Sequence, residues 1–406
     1  IIQCKGAPTI DTNVDVPTLP NDILESIFNG ETFVSLGVDK VFDSFFNTFG
    51  NQVKKIAFRH DHHPDSIEMN KHIIRHIKRR ATKLEELRIS CRVDQDFWKY
   101  LLDGENGNIF PELKKFQIEG IRGENDLNLN FIFPKIEILK VKGLGYLGYS
   151  NCLANVKNLK ELTLDSFSMR RDELEHIFKN NVNMIKIFIS YPDEPKIWHS
   201  IAKHLTKLET LAVHRPGENF LLRANDTAVY RLPSVTHFSI SFYLMHEVYE
   251  NGDLPFDMPQ LKTLTIKAEA ANEEIINFVK HFKKLEKLEL FVDLGVKCIK
   301  ELSHIKEITI ICSYFGAQEF NCLTNMFRHF DDNSKLQILK IIYTNDLVYS
   351  NNFEKGLKKL NRHLNEFKKS TWAVSRGELL PWEPPVSEPS WKDRNYLIFR
   401  STSYKC

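Results

Sequence analysis

Three glycines in the segment KGLGYLGYS have a spacing that could bind a phosphate group. Gly143, Gly145 and Gly148 follow a predicted strand as G-x-G-x-x-G, and Asp165 ends the next predicted strand. Such glycines let a pyrophosphate approach the backbone, and such an acid can bind a ribose. The segment after the glycines, NCLANVKNL, is short for the helix that this site needs. A loop between two structural repeats is the favoured interpretation, and a dinucleotide-binding enzyme stays open as a weaker alternative.

Two histidine clusters have residue types that could bind zinc. RHDHHPD combines His60, His62 and His63 with two aspartates, and HIIRH places His72 and His76 one helical turn apart. A zinc site needs three or four ligands in fixed geometry. HIIRH also lacks the Glu that serves as general base in H-E-x-x-H. Both clusters are interpreted as polar surface, and no metal is expected.

Other signatures of catalysis do not occur in the sequence. It contains no G-x-S-x-G, no P-loop and no recognisable catalytic cysteine motif. The basic segment KHIIRHIKRR, residues 71–80, could meet an acidic partner, but the solvated face of an outer helix is the favoured interpretation. The sequence therefore predicts a protein without an active site and without a cofactor.

Composition indicates a globular chain without a strong charge bias. The 406 residues are 42% hydrophobic and 27% charged, and 55 basic residues against 53 acidic ones give a net charge of +2. This balance argues against a coat for nucleic acid or membrane. No apolar run is long enough to span a membrane. The seven scattered cysteines form no C-x-x-C pair, which favours a reducing compartment, cytoplasmic or alternatively nuclear; because Ile1 is not a Met, a removed signal peptide stays open.

One apolar pattern, L-x-x-L-x-L with other apolar residues allowed, recurs through most of the chain. Successive copies mostly begin roughly 20–29 residues apart, and the last two apolar residues of each copy point to one face of a strand. Between copies lie apolar stripes with helical spacing, namely Ile73, Ile74 and Ile77; Leu174, Ile177 and Phe178; Ile275, Ile276 and Val279; and Phe320, Leu323, Met326 and Phe327. The twelve copies begin at Val53, Leu84, Leu113, Ile136, Leu159, Met184, Leu208, Val235, Leu261, Leu285, Ile305 and Leu336.

These copies resemble the leucine-rich-repeat family over about residues 53–343. The resemblance implies an α/β solenoid of about twelve irregular repeats, with a curved parallel sheet on the concave side and helices on the convex side. Many family members carry Asn or Cys three residues after the third apolar position. Here those places hold unrelated residues such as Arg92, Phe167 and Pro216, so the curvature is not predicted.

Strand residues that alternate with the buried ones are expected on the concave face. They are mostly charged in early and late repeats and less charged in the middle, which fits the core of a protein interface inside a polar rim. Random drift of surface composition explains the same pattern and stays open. Two insertions after Val213 and Phe242 could add contacts. The predicted partner-binding residues are Phe188, His214, His237, Ser239, Tyr243, Thr263 and Thr265.

The N-terminal segment VPTLPNDILESIFNG resembles the first helix of an F-box, the motif that docks on the adaptor of cullin–RING ubiquitin ligases. Proline suits a helix entry, and the apolar residues that follow fall on one helix face. The distance to Val53 is too short for a complete F-box. The segment is therefore a truncated F-box or a cap on the solenoid. The residues that carry the resemblance are Leu19, Pro20, Ile23, Leu24, Ile27 and Phe28.

Four regions are expected along the chain. Residues 1–15 are disordered, 16–50 form the F-box-like or cap helices, 51–369 form the solenoid, and 370–406 are a Trp- and Pro-rich cap or tail. By resemblance, the chain is the substrate-recognition subunit of a cullin–RING ubiquitin ligase, which binds a protein substrate on the concave face and the ligase adaptor at its N-terminal helix. A freestanding scaffold or receptor-like binding protein is the alternative.

Overall fold

The structure of the chain, a computed structural model, falls into two compact units, residues 1–208 and 209–406. It describes residues 47, 50–59, 77–90, 110–121, 134–143, 156–165, 171–190, 197–214, 229–241, 256–270, 273–293, 302, 304–312, 320–321, 323–324, 327, 335–344, 351–366, 372–378 and 394–401. The six F-box-like residues, the histidine clusters and Tyr243 lie outside these residues.

The N-terminal unit is built on six parallel strands that pair in chain order. A 3-10 turn, Gly50–Gln52, precedes them, and helices α1 (Arg171–Asn180) and α2 (Ile197–His204) belong to the same unit. The strands are β1 (Lys55–Arg59), β2 (Glu86–Ser90), β3 (Lys115–Ile121), β4 (Ile138–Gly143), β5 (Glu161–Asp165) and β6 (Lys186–Ser190).

The C-terminal unit contains six further parallel strands and an antiparallel end. The parallel strands are β7 (Thr210–His214), β9 (His237–Ser241), β11 (Thr263–Ala270), β12 (Lys287–Asp293), β13 (Glu307–Cys312) and β14 (Ile338–Thr344). Strand β16 (Arg394–Ser401) pairs antiparallel with β14, and β15 (Trp372–Glu378) pairs with β16. Short strands β8 (Tyr230–Arg231) and β10 (Phe256–Asp257) form a separate parallel pair. Helices α3 (Glu273–Lys280) and α4 (Asn351–Glu366) also belong to this unit.

The predicted leucine-rich-repeat solenoid fold is confirmed, because each of the twelve sequence copies contributes one parallel strand. Equivalent positions pair across strands, so that Leu139 lies beside Leu162 and Val141 beside Leu164. Both pairs are fully buried. Each such side chain contributes roughly 1.5–3 kcal/mol by leaving water. The repeat therefore stacks one apolar row on the next.

The helices also follow the predicted apolar stripes. Helix α1 carries Asp172 in its first turn and Lys179 in its last turn, charges that complement the helix dipole at each end. Its predicted stripe and that of α3 are buried in the structure, and so are three residues of the stripe predicted after β13. These buried stripe residues are Leu174, Ile177, Phe178, Ile275, Ile276, Val279, Phe320, Leu323 and Phe327.

A repeated backbone contact fixes the entrance of ten of the twelve parallel strands, β2–β6, β9 and β11–β14. The carbonyl of Lys54 accepts hydrogen bonds from the N–H groups of Glu85 at 2.7 Å and Glu86 at 2.9 Å. In the C-terminal unit, the carbonyl of Thr236 accepts from Lys262 at 2.9 Å and Thr263 at 3.0 Å. One carbonyl thus satisfies two donors of the following repeat, which sets the register before the strand begins.

Through its side chain, Asn181 links the repeat that begins at Leu159 to helix α1. Its side chain is 2% exposed, and its Oδ1 accepts a hydrogen bond from the Leu159 N–H at 2.8 Å. Its Nδ2 donates to the carbonyls of Val156 at 3.0 Å and Ile177 at 2.8 Å. A single buried amide therefore satisfies three backbone groups that water cannot reach.

We predict that Asn181→Ala lowers the free energy of unfolding by about 2–4 kcal/mol, because three buried backbone groups lose their partner. Urea unfolding of the full chain, followed by circular dichroism, measures the change. Asn183→Ala is the matched control. Asn183 is exposed and accepts only an exposed hydrogen bond from Lys207, so the expected change is within about 0.5 kcal/mol. Equal effects of the two substitutions would show that Asn181 does not hold the repeat.

Candidate functional site

Alternate residues of each strand leave the core and form an exposed sheet face. In the C-terminal unit, strands β7, β9 and β11 place six uncharged residues side by side on this face. Their register pairs Thr210 with His237 and His237 with Thr263, and it pairs Ser239 with Thr265. We call this group the hydroxyl patch. Its members are Thr210, Ala212, His237, Ser239, Thr263 and Thr265.

The hydroxyl patch is bordered by charged residues on the next strands. Lys287 of β12 lies beside Thr263, and Glu289 lies beside Thr265. The Nζ of Lys287 is 3.1 Å from Glu289 and 3.6 Å from Glu307 of β13. The Thr265 hydroxyl donates to the Glu289 carboxylate at 3.2 Å. The uncharged surface therefore ends at an ion-paired border.

Both predicted histidines of this unit have oriented rings. The Nδ1 of His214 lies 2.9 Å from the Ser241 hydroxyl, and the Nδ1 of His237 lies 2.8 Å from the Thr236 hydroxyl. His237 is exposed, whereas His214 is half-buried. Fixed rings of this kind can donate or accept hydrogen bonds without further loss of side-chain entropy.

The structure brings five of the seven predicted partner-binding residues onto one face. His214, His237, Ser239, Thr263 and Thr265 all lie on neighbouring strands of the C-terminal unit. The sixth residue is a half-buried phenylalanine on β6 of the N-terminal unit, and the seventh is outside the described residues. These two are Phe188 and Tyr243.

The exposed face of the N-terminal unit has a different chemistry. The third residues of strands β2 to β6 lie side by side, and we call them the cationic row. The row consists of Arg88, Gln117, Lys140, Thr163 and Phe188.

Lys140, at the centre of the cationic row, is surrounded mainly by positive charge. Burial lowers the pKa of Lys140, and the neighbouring ammonium groups of Lys115 and Lys186 lower it further. Glu161 acts in the opposite direction, and Arg88 adds to the lowering. The centre of this face therefore favours a negative partner.

A ladder of alternating charges runs beside the cationic row, at the strand entrances. Lys54 is 3.6 Å from Glu85, which also receives a 2.9 Å hydrogen bond from Lys114. Glu137 and Lys160 form the next pair, at 2.9 Å. The contact with Lys114 lowers the pKa of Glu85, and Glu85 raises the pKa of Lys114. Exposed pairs of this kind contribute little individually, but they match charge between adjacent repeats.

Two polar pairs on these faces were not predicted. The Ser190 hydroxyl donates to the Asp165 carboxylate at 2.8 Å, and both residues are buried. Ser241 makes the equivalent contact with His214 one residue after the last apolar position of its strand. The sequence marks both pairs by a polar residue directly after the third apolar residue of each L-x-x-L-x-L copy. Asp165 is thus hydrogen-bonded within the sheet, while Gly143 ends β4 and the other two glycines of the predicted loop lie outside the described residues.

Neither a metal-binding group nor a membrane-spanning helix is found among the described residues. In those residues, no group of three or more His, Cys, Asp or Glu side chains is placed to hold a metal ion. No described helix has the length and apolar character needed to cross a membrane. What the described faces offer is hydrogen-bonding and charged surface.

Comparison with known proteins finds likeness to solved structures. No protein-family model matches the chain, and no curated protein matches it. An internalin from Listeria monocytogenes aligns with a TM-score of 0.38 and 12% identity, over 80% of this chain and 92% of that one. A leucine-rich-repeat protein from Leptospira interrogans aligns with a TM-score of 0.22 and 10% identity, over 65% and 92%. The class of the fold rests on the twelve repeats and their strands.

Proposed function

We propose that the chain is a non-catalytic protein-binding module and that the hydroxyl patch is the centre of its binding surface. The observation that carries the proposal is the patch itself, which spans three neighbouring strands in two rows without a charged side chain. A protein interface typically has a core that is depleted in charge and a polar rim. The ion-paired border of Lys287, Glu289 and Glu307 would supply that rim.

The small side chains of the patch support close approach by a partner. Ala212, Ser239 and the threonines have small side chains, and the hydroxyls of Ser239, Thr210 and Thr263 can each donate and accept a hydrogen bond. His237 is exposed and adds an aromatic ring with fixed orientation. A rigid parallel sheet holds these groups in place, which lowers the entropic cost of binding.

The more specific role is substrate recognition for a cullin–RING ubiquitin ligase. It is supported by the F-box-like residues of the N-terminal segment, which include Leu24 and Phe28. In this role the sheet face binds a protein substrate and the N-terminal helix binds the ligase adaptor, in the cytoplasm or nucleus. The alternative role is that of a freestanding binding protein, which would use the same sheet face but would not contact a ligase adaptor.

Ser239→Arg is predicted to weaken binding of a protein partner at least about tenfold, because a long charged side chain would cover the middle of the patch. Partners captured from cell extract with the unaltered chain are identified, and their affinities are then measured one by one. Asn277→Arg places the same side chain on the exposed side of α3 and should leave the affinity unchanged. A partner that binds both variants equally well does not use the patch.

The ligase role predicts that the full chain captures the ligase adaptor and that Leu24→Asp with Phe28→Asp abolishes this capture. Two charges on the apolar helix face would not enter a partner's groove. The variant should still bind the protein partners of the sheet face. If the unaltered chain captures no adaptor, the ligase role is wrong and the freestanding binding module stands.

A further inference from the structure

The cationic row of the N-terminal unit is a second surface with its own partner chemistry. The strand register pairs Arg88 with Gln117, Gln117 with Lys140, Lys140 with Thr163 and Thr163 with Phe188. Neighbouring strands lie about 4.8 Å apart, so Arg88, Lys140 and Phe188 follow one another at intervals of about 10 Å. Two cations and one aromatic ring therefore lie on a line across the strands.

Two acidic side chains beside the row, Glu86 and Asp165, contact neighbouring residues. Glu86 lies 2.6 Å from Lys115 and 3.9 Å from Lys55. Asp165 accepts the Ser190 hydroxyl and lies 3.8 Å from Lys142.

Lys140 itself is half-buried, and the positive charges of Lys115, Lys186 and Arg88 lower its pKa. The negative charge of Glu161 acts in the opposite direction. Positive charge therefore dominates the middle of the row. A negatively charged partner group would be attracted to this position.

The spacing suits a peptide better than a nucleic acid. A polyproline II segment has three residues per turn and a rise of about 3.1 Å, so every third side chain returns to the same side about 9.3 Å further on. This interval matches the interval of the row. Nucleic acid carries its charges much more densely, about one per 1.7 Å of duplex, and would meet the acids of the neighbouring ladder, Glu85 and Glu137.

We propose that the cationic row binds an extended acidic peptide segment, with carboxylates at positions i and i+3 on Arg88 and Lys140 and an apolar side chain at i+6 on Phe188. The segment lies across the strands. The pairing of carboxylates with Arg and Lys provides charge-assisted hydrogen bonds, and the ring of Phe188 covers apolar surface of the segment. This surface and its partner are independent of the hydroxyl patch.

The test uses the full chain and a labelled peptide, Glu-Pro-Pro-Glu-Pro-Pro-Leu, together with its reversed sequence. A peptide with Gln in place of both Glu is the neutral reference. At low salt, fluorescence anisotropy should show that at least one of the two Glu peptides binds at least about tenfold more tightly than the Gln peptide. The advantage should shrink between about 50 mM and 300 mM salt, because screening weakens charge pairing.

The double variant Arg88→Gln, Lys140→Gln should lose this advantage. The control Lys157→Gln, Lys179→Gln removes two exposed cations of the same unit, one shortly before β5 and one on α1, and it should keep the advantage of the Glu peptide. The reversed-charge variant Arg88→Glu, Lys140→Glu should instead prefer a peptide with Lys at both positions. Equal thermal unfolding midpoints of the four proteins confirm that they are folded.

Three results would overturn the proposal. The first is equal binding of the Glu and Gln peptides. The second is a loss of Glu-peptide affinity in the control as large as in the double variant. The third is displacement of the Glu peptide by a thymidine oligonucleotide at an equal concentration. The last result would identify a general polyanion surface. None of these results bears on the hydroxyl patch, whose variants are tested separately.

Discussion

The stacking of buried apolar residues from one repeat on those of the next is the constraint on which the rest of the structure depends. In the N-terminal unit, Leu162 and Leu164 lie between equivalent residues of the strands on either side. Because side chains alternate along a strand, a shift of one residue would expose both leucines and bury Thr163. The apolar pattern therefore sets the register, and the shared carbonyl at the entrance of most parallel strands reinforces it.

The register determines which residues lie on the exposed face, but it does not restrict their chemical type. Every second strand residue is placed on the face by its neighbours in the core, and its chemical type does not affect the stacking. The N-terminal unit uses this freedom for cations around Lys140, and the C-terminal unit uses it for hydroxyls around Ser239. Two surfaces of different chemistry are thus compatible with one repeated core.

Much of the fold could be predicted from the sequence because the core signal is periodic. The twelve strands and the buried faces of α1 and α3 lie where the apolar pattern places them. The positions of His237 and Thr263 on the exposed face follow from the same alternation.

The remaining contacts depend on neighbours that the sequence does not bring together. Asn181 reaches back to Val156 and Leu159, and Asp165 pairs with Ser190, across connections of unequal length. The antiparallel pairing of β16 with β14 has no repeat signal, because the strand lies beyond the last copy. The F-box-like helix and Tyr243 lie outside the described residues, so they stay predictions.

A disulfide between designed cysteines tests the register most directly. Ala212 and Ser239 are register partners, and a cysteine pair at these positions should oxidise to a disulfide, because adjacent strands are about 4.8 Å apart. Cysteines at Ala212 and His237 are offset by two residues, which gives roughly 8 Å between Cα atoms and no disulfide. Mass spectrometry of non-reduced peptides distinguishes these outcomes. Linkage of the offset pair instead of the register pair would contradict the alignment on which both faces depend.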